Sequence, residues 1–275
     1  MTAIPFAIEN RAAPFDAVAE CYDEAFTDSL IGRAQREAVW RRLDRCFHPG
    51  QRLLELNCGT GVDAVHLAER GIQVIACDAA PRMIEVARRR LKSSGQGGRV
   101  ELRVLEIERI AELEDQGLFD GAFSNFAGLN CVADLTAVAR QLGRLLAPGA
   151  TALLCMAGRA VVWEMIWYLV QGKPTKALRR FRRGGTLGRI AEGVTIKVWY
   201  PPVSAMARIF APEFRLRGWR GIGVTVPPSY LEPWAKRYPS ALHALRRIDG
   251  VLSAWPVFRS LADHALLEFQ RCPEW

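Results

Sequence analysis

The sequence has few residues of the kinds that bind metal ions or cross-link small secreted domains. Only four His and seven Cys occur among its 275 residues. They are dispersed along the chain, and no two Cys have the CxxC spacing. This pattern predicts no zinc site, and it indicates reduced thiols in a cytoplasmic protein.

Long apolar runs and targeting signals are also missing. The chain contains no run of about 18 uncharged apolar residues, the length that a membrane-spanning helix needs. Its first nine residues contain no basic segment followed by an apolar one, so no secretory signal is predicted. With 50% of its residues hydrophobic and 24% charged, the composition is that of a globular protein.

Between residues 52 and 156 the sequence alternates apolar, strand-like runs with amphipathic, helix-like runs. Strands are predicted at 52–57, 73–77, 100–105, 119–124 and 151–156, and helices at 62–70, 81–92 and 134–146. Such alternation predicts an α/β fold with a parallel sheet and helices on both faces. Ligands bind such sheets beyond the carboxyl ends of the strands.

The most informative segment is a glycine-rich turn between the first strand and the first of these helices. Gly59 and Gly61 allow a sharp turn and a close approach of the backbone to a ligand. Asp78 ends the next strand, where a carboxylate can accept hydrogen bonds from ribose hydroxyls. The spacing Gly59-x-Gly61-x-x-Ala64 also satisfies the loose dinucleotide pattern, but the acid Glu55 suits a cationic ligand better than a pyrophosphate.

Four segments follow one another in a fixed order between residues 51 and 156. They are Glu55 to Gly61, Asp78 to Ile84, Phe119 to Phe126, and Leu145 to Leu154. In order and spacing they resemble four motifs of the class I S-adenosylmethionine-dependent methyltransferases. The resemblance implies a Rossmann-like, seven-stranded, mostly parallel sheet, and it implies S-adenosylmethionine as the cofactor.

The resemblance also implies which residues hold that cofactor. The backbone at Gly59 and Gly61 would line its methionine part, and Met83 would lie near the adenine. Glu106 would lie near the adenine amino group or is a solvated loop carboxylate; Tyr22 would face the cofactor from an N-terminal cap or is a core residue. The full predicted set is Tyr22, Glu55, Asn57, Gly59, Gly61, Asp78, Met83, Glu106 and Asn125.

The flanking segments predict additions to this sheet. Before it, helices are predicted at about 12–28 and 31–46, which form a helical cap. After it, strands are predicted at 195–200, 214–225 and 265–270, and helices at 204–210, 229–238 and 240–254. Two insertions, 158–200 and 226–263, are expected over the ligand-binding edge. The predicted division is 1–157 for the cap and the cofactor-binding core, and 158–275 for the lid insertions and the remaining strands.

The first insertion combines an apolar helix with a basic run. Trp163, Trp167 and Tyr168 lie on the predicted helix 161–171 and either line an acceptor pocket or pack the lid onto the body. Residues 173–191 contain seven Lys or Arg and no acid, against a net charge of +8 for the whole chain. This run is a solvated face, a nucleic-acid contact, or a contact with an anionic membrane or acidic ligand.

The family resemblance implies in-line transfer of a sulfonium methyl group to an acceptor nucleophile, with alignment and water exclusion supplied by the protein. Residues 124–127 read Ser-Asn-Phe-Ala and lack the Asn/Asp-Pro-Pro-Tyr/Phe sequence typical of amino-nitrogen methylation. This favours a small molecule as the acceptor; the apolar, aromatic lid suggests a partly hydrophobic one, and the family resemblance implies oxygen as the acceptor atom. The alternatives are an RNA methyltransferase and a non-methylating scaffold that binds the cofactor. No catalytic base is identified; the residues that could reach the site are Asn130, Tyr168, Tyr200, Tyr230 and His264.

Overall fold

A computed structural model describes residues 13–273 and shows one seven-stranded sheet. The strands of this sheet are β1 Arg52–Leu56, β2 Gln73–Asp78, β3 Val100–Val104, β4 Phe119–Ser124, β5 Leu146–Ala157, β8 Phe214–Ile222 and β9 His264–Arg271. Their order across the sheet is β3-β2-β1-β4-β5-β9-β8. Strands β1 to β5 are parallel to one another, whereas β9 is antiparallel to both β5 and β8. The predicted fold class is confirmed.

Helices cover both faces of the sheet and bury a separate apolar cluster on each. On one face lie α1 Leu30–Cys46, α2 Val62–Glu69 and α3 Pro81–Ser94, and on the other lie α4 Leu135–Leu145 and α7 Val203–Phe210. Local sequence determines several of their ends. Helix α3 begins at Pro81 and ends at Gly95, which has a left-handed φ of 71°, and Asp134 caps α4 by accepting hydrogen bonds from the N–H groups of Thr136 and Ala137.

The N-terminal cap is only partly helical. The predicted helix at 31–46 is confirmed as α1, but the continuous helix predicted at about 12–28 is wrong, and its first residue lies outside the described range. Two short turns, Pro14–Val18 and Asp23–Thr27, take its place. The apolar residues of this segment, including Phe15 and Tyr22, pack on Met83 of α3. This tertiary packing overrides the helical periodicity of the segment.

The insertion after β5 holds two helices and a hairpin. Helices α5 Val162–Val170 and α6 Pro174–Ala177 pack on each other, and β6 Thr186–Ala191 pairs with β7 Val194–Val198 in a separate two-stranded sheet. The sequence predicted β7 but not β6, because the Gly-rich, basic stretch before Leu187 shows no strand pattern. The hairpin packs on the turn Pro14–Val18 and on residues 128–131.

The second insertion starts and ends at the carboxyl edge of the sheet, where His264 pairs with Ala157, and it packs on α1. It contains α8 Glu232–Arg237, α9 Pro239–Leu252 and α10 Pro256–Arg259. Helices α8 and α9 contact α1, and the Glu232 carboxylate accepts hydrogen bonds from the backbone N–H groups of Leu30 and Ile31. Within residues 13–273, no helix has the length and apolarity required to cross a bilayer.

Candidate active site

The glycine turn after β1 forces three residues into the left-handed region. Asn57, Gly59 and Gly61 have φ values of 55°, 54° and 74°. A Cβ added at Gly59 would meet no atom within 4 Å, whereas one at Gly61 would lie 2.9 Å from the Cβ of Ala87. Gly59 therefore faces open space, and Gly61 allows α2 to approach α3. A side chain at Gly61 would therefore meet α3.

Asp78 connects this turn to the next one. One of its carboxylate oxygens accepts a hydrogen bond from the N–H of Gly59, and the other from the N–H of Ala80, each at 2.9 Å. Burial raises the pKa of this carboxyl, although both backbone hydrogen bonds act in the opposite direction. Each oxygen keeps a lone pair, so the carboxylate can still accept hydrogen bonds from two hydroxyl groups.

A cavity of about 1140 Å³ opens beside the turn and Asp78. Of the nine residues predicted to hold the cofactor, seven line it: Tyr22, Asn57, Gly59, Asp78, Met83, Glu106 and Asn125. Glu55 and Gly61 do not line it. The structure thus gathers residues from the N-terminal turns and from the carboxyl ends of four strands around one space.

Glu55 lies buried under the turn rather than in the cavity wall. Its Oε2 has no hydrogen-bond partner among the described residues. Burial raises its pKa well above the usual value, and the nearby negative charge of Asp63 raises it further. A carboxyl in this environment favours its protonated form.

Sequence reasoning missed a buried polar network centred on Asp63, in the first turn of α2. Its carboxylate accepts hydrogen bonds from Arg36 Nη1 at 2.5 Å, Trp40 Nε1 at 2.6 Å and Asn125 Nδ2 at 3.0 Å. The network ties α1 and the loop after β4 to α2. Arg36 lines the cavity, and its Nε–H has no protein partner in the described part of the chain. The one sequence signal was an acid two residues after Gly61.

The loop after β4 holds an aromatic ring at the cavity wall. Phe126 and the next residue, Ala127, have φ values of 43° and 68°, which only a constrained loop imposes on residues with a Cβ. The Phe126 ring lies 4.9 Å from that of Phe26, 4.9 Å from the Arg36 guanidinium and 5.4 Å from the His264 ring. Phe126 therefore separates His264 from the cavity.

None of the five residues named as able to reach the site is among the described residues of the cavity lining. Asn130 is a structural tether, since its Nδ2 donates to the carbonyl of Trp199 and its Oδ1 accepts from the N–H of Ala157. Burial lowers the pKa of His264. The other three candidates are tyrosines near the ion pairs of α5: Tyr168, Tyr200 and Tyr230.

These ion pairs involve part of the basic run. Arg179 Nε and Arg180 Nη2 lie 2.6 and 2.5 Å from the buried carboxylate of Glu164. Burial by itself would raise the Glu164 pKa, but the two arginines lower it below the usual value. Arg180 also lies 3.9 Å from Asp263. Two of the seven cations of the run therefore pair with α5 within the first insertion, and Arg180 also approaches Asp263, just before β9.

The hairpin, not helix α5, forms the lid wall of the cavity. Trp163, Trp167 and Tyr168 do not contribute to the described lining. The lining residues from the hairpin are Gly188, Arg189, Ile190, Ile196 and Val198. Aliphatic side chains thus face the cofactor turn across the cavity. Among residues 13–273, no group of three His, Cys, Asp or Glu side chains is placed to hold a metal ion.

Comparison with known proteins places these features in context. Residues 53–149 match the family described as "Methyltransferase domain". The chain is 30% identical over 236 residues to a demethylmenaquinone methyltransferase of Parafrankia sp. (strain EAN1pec), covering 78% of this chain and 88% of that protein. It is 39% identical over 111 residues to a ubiquinone biosynthesis O-methyltransferase of Xanthomonas campestris pv. campestris (strain B100), covering 40% and 45%.

A solved structure shares the fold over almost the full length. The CcbJ methyltransferase from Streptomyces caelestis superposes with a TM-score of 0.60 at 15% identity, covering 95% of this chain and 99% of that one. At this identity the similarity concerns the fold alone.

Proposed function

The chain belongs to the class I S-adenosylmethionine-dependent methyltransferases, and from that premise we propose that its acceptor is a hydroxyl oxygen on a small aromatic ring of the quinol class. S-adenosylmethionine is the cofactor and supplies the activated methyl group. The observation that carries the proposal is a cavity bounded both by the cofactor turn and by the aliphatic hairpin residues Ile190, Ile196 and Val198. The names of both relatives support a quinone-type ring, and the name of the ubiquinone biosynthesis O-methyltransferase supports oxygen as the acceptor atom.

The dimensions of the cavity support a two-ligand site. Its volume of about 1140 Å³ exceeds the range of about 300–1,000 Å³ that is usual for a site with one ligand. The cofactor fits the polar side, where Asp78 can accept from its ribose and Gly59 leaves its backbone open. The side lined by Val132, Ile190 and Ile196 is left for an apolar ring.

In the proposed reaction the acceptor oxygen attacks the methyl carbon as the carbon–sulfur bond breaks, and the electron pair of that bond stays on sulfur. The acceptor hydroxyl releases its proton to solvent water before the methyl group is transferred. A phenolic hydroxyl has a pKa of about 10 in water, and a nearby cation lowers it. Arg36 lies in the cavity wall, but Asp63 neutralises its charge; Arg189 of the hairpin lines the same cavity and can supply the positive charge. The hairpin and the N-terminal turns exclude water.

The cofactor part is tested by isothermal titration with S-adenosylhomocysteine and, separately, with NAD. Binding of the first at micromolar concentration and none of the second is the expected result. Micromolar binding of NAD with none of S-adenosylhomocysteine would overturn the assignment of the cavity.

The acceptor part is tested with a water-soluble ring hydroxyl compound that carries a short alkyl chain, followed by analysis of the product. A new methyl ether is expected. A methyl group found on ring carbon, or turnover only with an RNA substrate, would reject an oxygen acceptor of the quinol class.

The remaining proposals concern the cellular compartment of the enzyme and the partner of its basic run. We propose a cytoplasmic enzyme, which the buried thiols support: burial raises the pKa of Cys77 and of Cys155 to about 12, which keeps both unreactive. The basic run stays a predicted contact with an anionic membrane or an acidic ligand. Fewer cations of the run are free to bind such a partner than the sequence suggests, because Glu164 pairs with two of its arginines. The same pairing weakens the RNA alternative.

A further inference from the structure

Helix α5 exposes the side chains that a lid helix would normally bury. Of its nine residues, only Glu164 is buried. Val170 is 83% exposed and Leu169 54%, and Ile166 and Trp167 are exposed as well. Contiguous apolar surface of this kind on a single chain marks an interaction site.

Further exposed apolar side chains follow α5 along the chain. Helix α6 packs against α5, and Leu178 and Phe181 follow it with exposed side chains. Leu187, on β6, is 72% exposed. We call these seven residues the apolar face: Ile166, Trp167, Leu169, Val170, Leu178, Phe181 and Leu187.

Cationic side chains border this face, and the chain segment that carries them contains no acidic residue. Between Met165 and Ala191 there is no Asp or Glu. Lys173, Lys176, Arg182 and Arg183 are exposed, and in the described part of the chain the carboxylate contacts of this segment belong to Arg179 and Arg180. Four cations are therefore available to a partner that carries negative charge.

This combination selects one class of partner. Aliphatic side chains and an exposed Trp within a rim of Lys and Arg match the headgroup and acyl boundary of an anionic bilayer. A nucleic acid would use the cations but would leave the aliphatic side chains in water. We propose that the apolar face and its four cations dock the enzyme on an anionic lipid bilayer.

The docking surface meets the active-site cavity within one strand. Leu187 belongs to the apolar face, and the next three residues, Gly188 to Ile190, line the cavity. An acceptor with an apolar tail can therefore enter from the bilayer side of the hairpin. This entry route rests on the proposed function, whereas the docking itself does not.

The test uses full-length protein and flotation with vesicles of phosphatidylcholine, alone or mixed with phosphatidylglycerol, each at two salt concentrations. Binding to the mixed vesicles, reduced by salt, is expected. Replacing Leu169 and Val170 by Ser, or Lys173, Lys176, Arg182 and Arg183 by Gln, should each weaken binding at least tenfold. The matched control replaces Val251 and Val257 by Ser; both are exposed apolar residues outside the face, and binding should not change.

Other outcomes overturn the docking. They are no binding to either vesicle, equal binding of variants and wild type, and competition by free glycerol phosphate, which would identify a small acidic ligand. A salt-sensitive gel shift with bulk RNA and no vesicle binding would identify nucleic acid. Turnover of the water-soluble acceptor is measured in parallel. If the variants keep that turnover and lose vesicle binding, both proposals stand; if turnover is absent in the wild type, only the proposed function fails.

Discussion

Gly59 and Gly61 share a left-handed backbone and have different tasks. Gly59 borders the cavity, and Gly61 lies against Ala87 of α3. A residue with a Cβ pays a conformational penalty at either position, but only at Gly61 does it also meet a packed helix. Gly59 therefore serves ligand binding, whereas Gly61 serves the packing of the fold.

Replacing Gly61 by Ala should lower the free energy of unfolding by about 2–4 kcal/mol, the sum of left-handed strain and overpacking. Gly59→Ala should cost about 1–2 kcal/mol, since strain acts alone. Urea unfolding measures both. Equal losses of unfolding free energy in the two variants would contradict these different roles of Gly59 and Gly61.

Replacing Asp78 by Ala should weaken S-adenosylhomocysteine binding by about 1–3 kcal/mol, because hydrogen bonds to a charged group are lost. Asp134→Ala is the matched control. Asp134 also accepts two backbone N–H groups, but it caps α4 away from the cavity. Isothermal titration should show unchanged affinity in the control, and equal weakening in both variants would reject the role of Asp78.

Replacing Asp63 by Ala should lower the free energy of unfolding by about 3–5 kcal/mol, because it leaves the buried Arg36 charge without its partner. The control is Asp28→Ala. Asp28 pairs with Arg33 at 3.2 Å, with both side chains more than half exposed, so its loss should cost about 1 kcal/mol or less. Similar losses would show that the network has no stabilising role.

At the scale of secondary-structure elements, the lid is divided between two pieces. The β6–β7 hairpin contributes the cavity wall, and α5 contributes exposed apolar surface. Glu164 of helix α5 pairs with two arginines that follow α6 in the same insertion, and one of them, Arg180, also lies 3.9 Å from Asp263, just before β9. For the aromatic residues of this helix the sequence left pocket lining and packing open, and in the structure they do not contribute to the described lining.

Replacing Ile196 by Ser should lower kcat/KM for the acceptor about tenfold, the scale expected for lost apolar contact in a pocket. The affinity for S-adenosylhomocysteine should stay within a factor of two or so of the wild-type value, because the cofactor residues lie elsewhere. Lys197→Gln, on the same strand and exposed, is the control. Trp167→Ala should leave turnover of the water-soluble acceptor unchanged. A tenfold loss of that turnover would indicate that α5 lines the acceptor pocket.

At the scale of the whole molecule, stability depends on buried ionisable groups with opposite pH effects. His264 has a lowered pKa, so the stability it contributes is present above its unfolded pKa of about 6.5 and is lost as pH falls through its folded pKa. Glu55 has a raised pKa. Its contribution is present at low pH and is lost as pH rises through the folded value.

The melting temperature should therefore fall as pH drops below about 6.5, and His264→Asn should flatten that decline, because the variant has no imidazole to protonate. Glu55→Gln should reduce the loss of stability that begins as pH rises above the unfolded carboxyl pKa of about 4.5. Thermal melts over a pH series measure both. An unchanged profile in either variant would show that the group does not control the pH dependence of stability.

The local sequence determined the central βαβ unit, the glycine turn, Asp78 and the order of the strands. These features depend on residues close together in the chain: the alternation of apolar runs, the glycines that permit a left-handed turn, and the caps at Pro81 and Asp134. The fold class, the methyltransferase family and its cofactor followed from four such local motifs.

Tertiary structure alone decided which side chains meet. Arg36 reaches Asp63 from another helix, Arg180 lies beside Asp263 from a segment 83 positions earlier, and the hairpin faces turns near the N-terminus. Periodicity cannot reveal such pairs, because the free energy that selects them arises from burial and charge pairing between distant segments. For the same reason, the sequence showed a basic run, but only the folded chain showed which of its cations remain exposed.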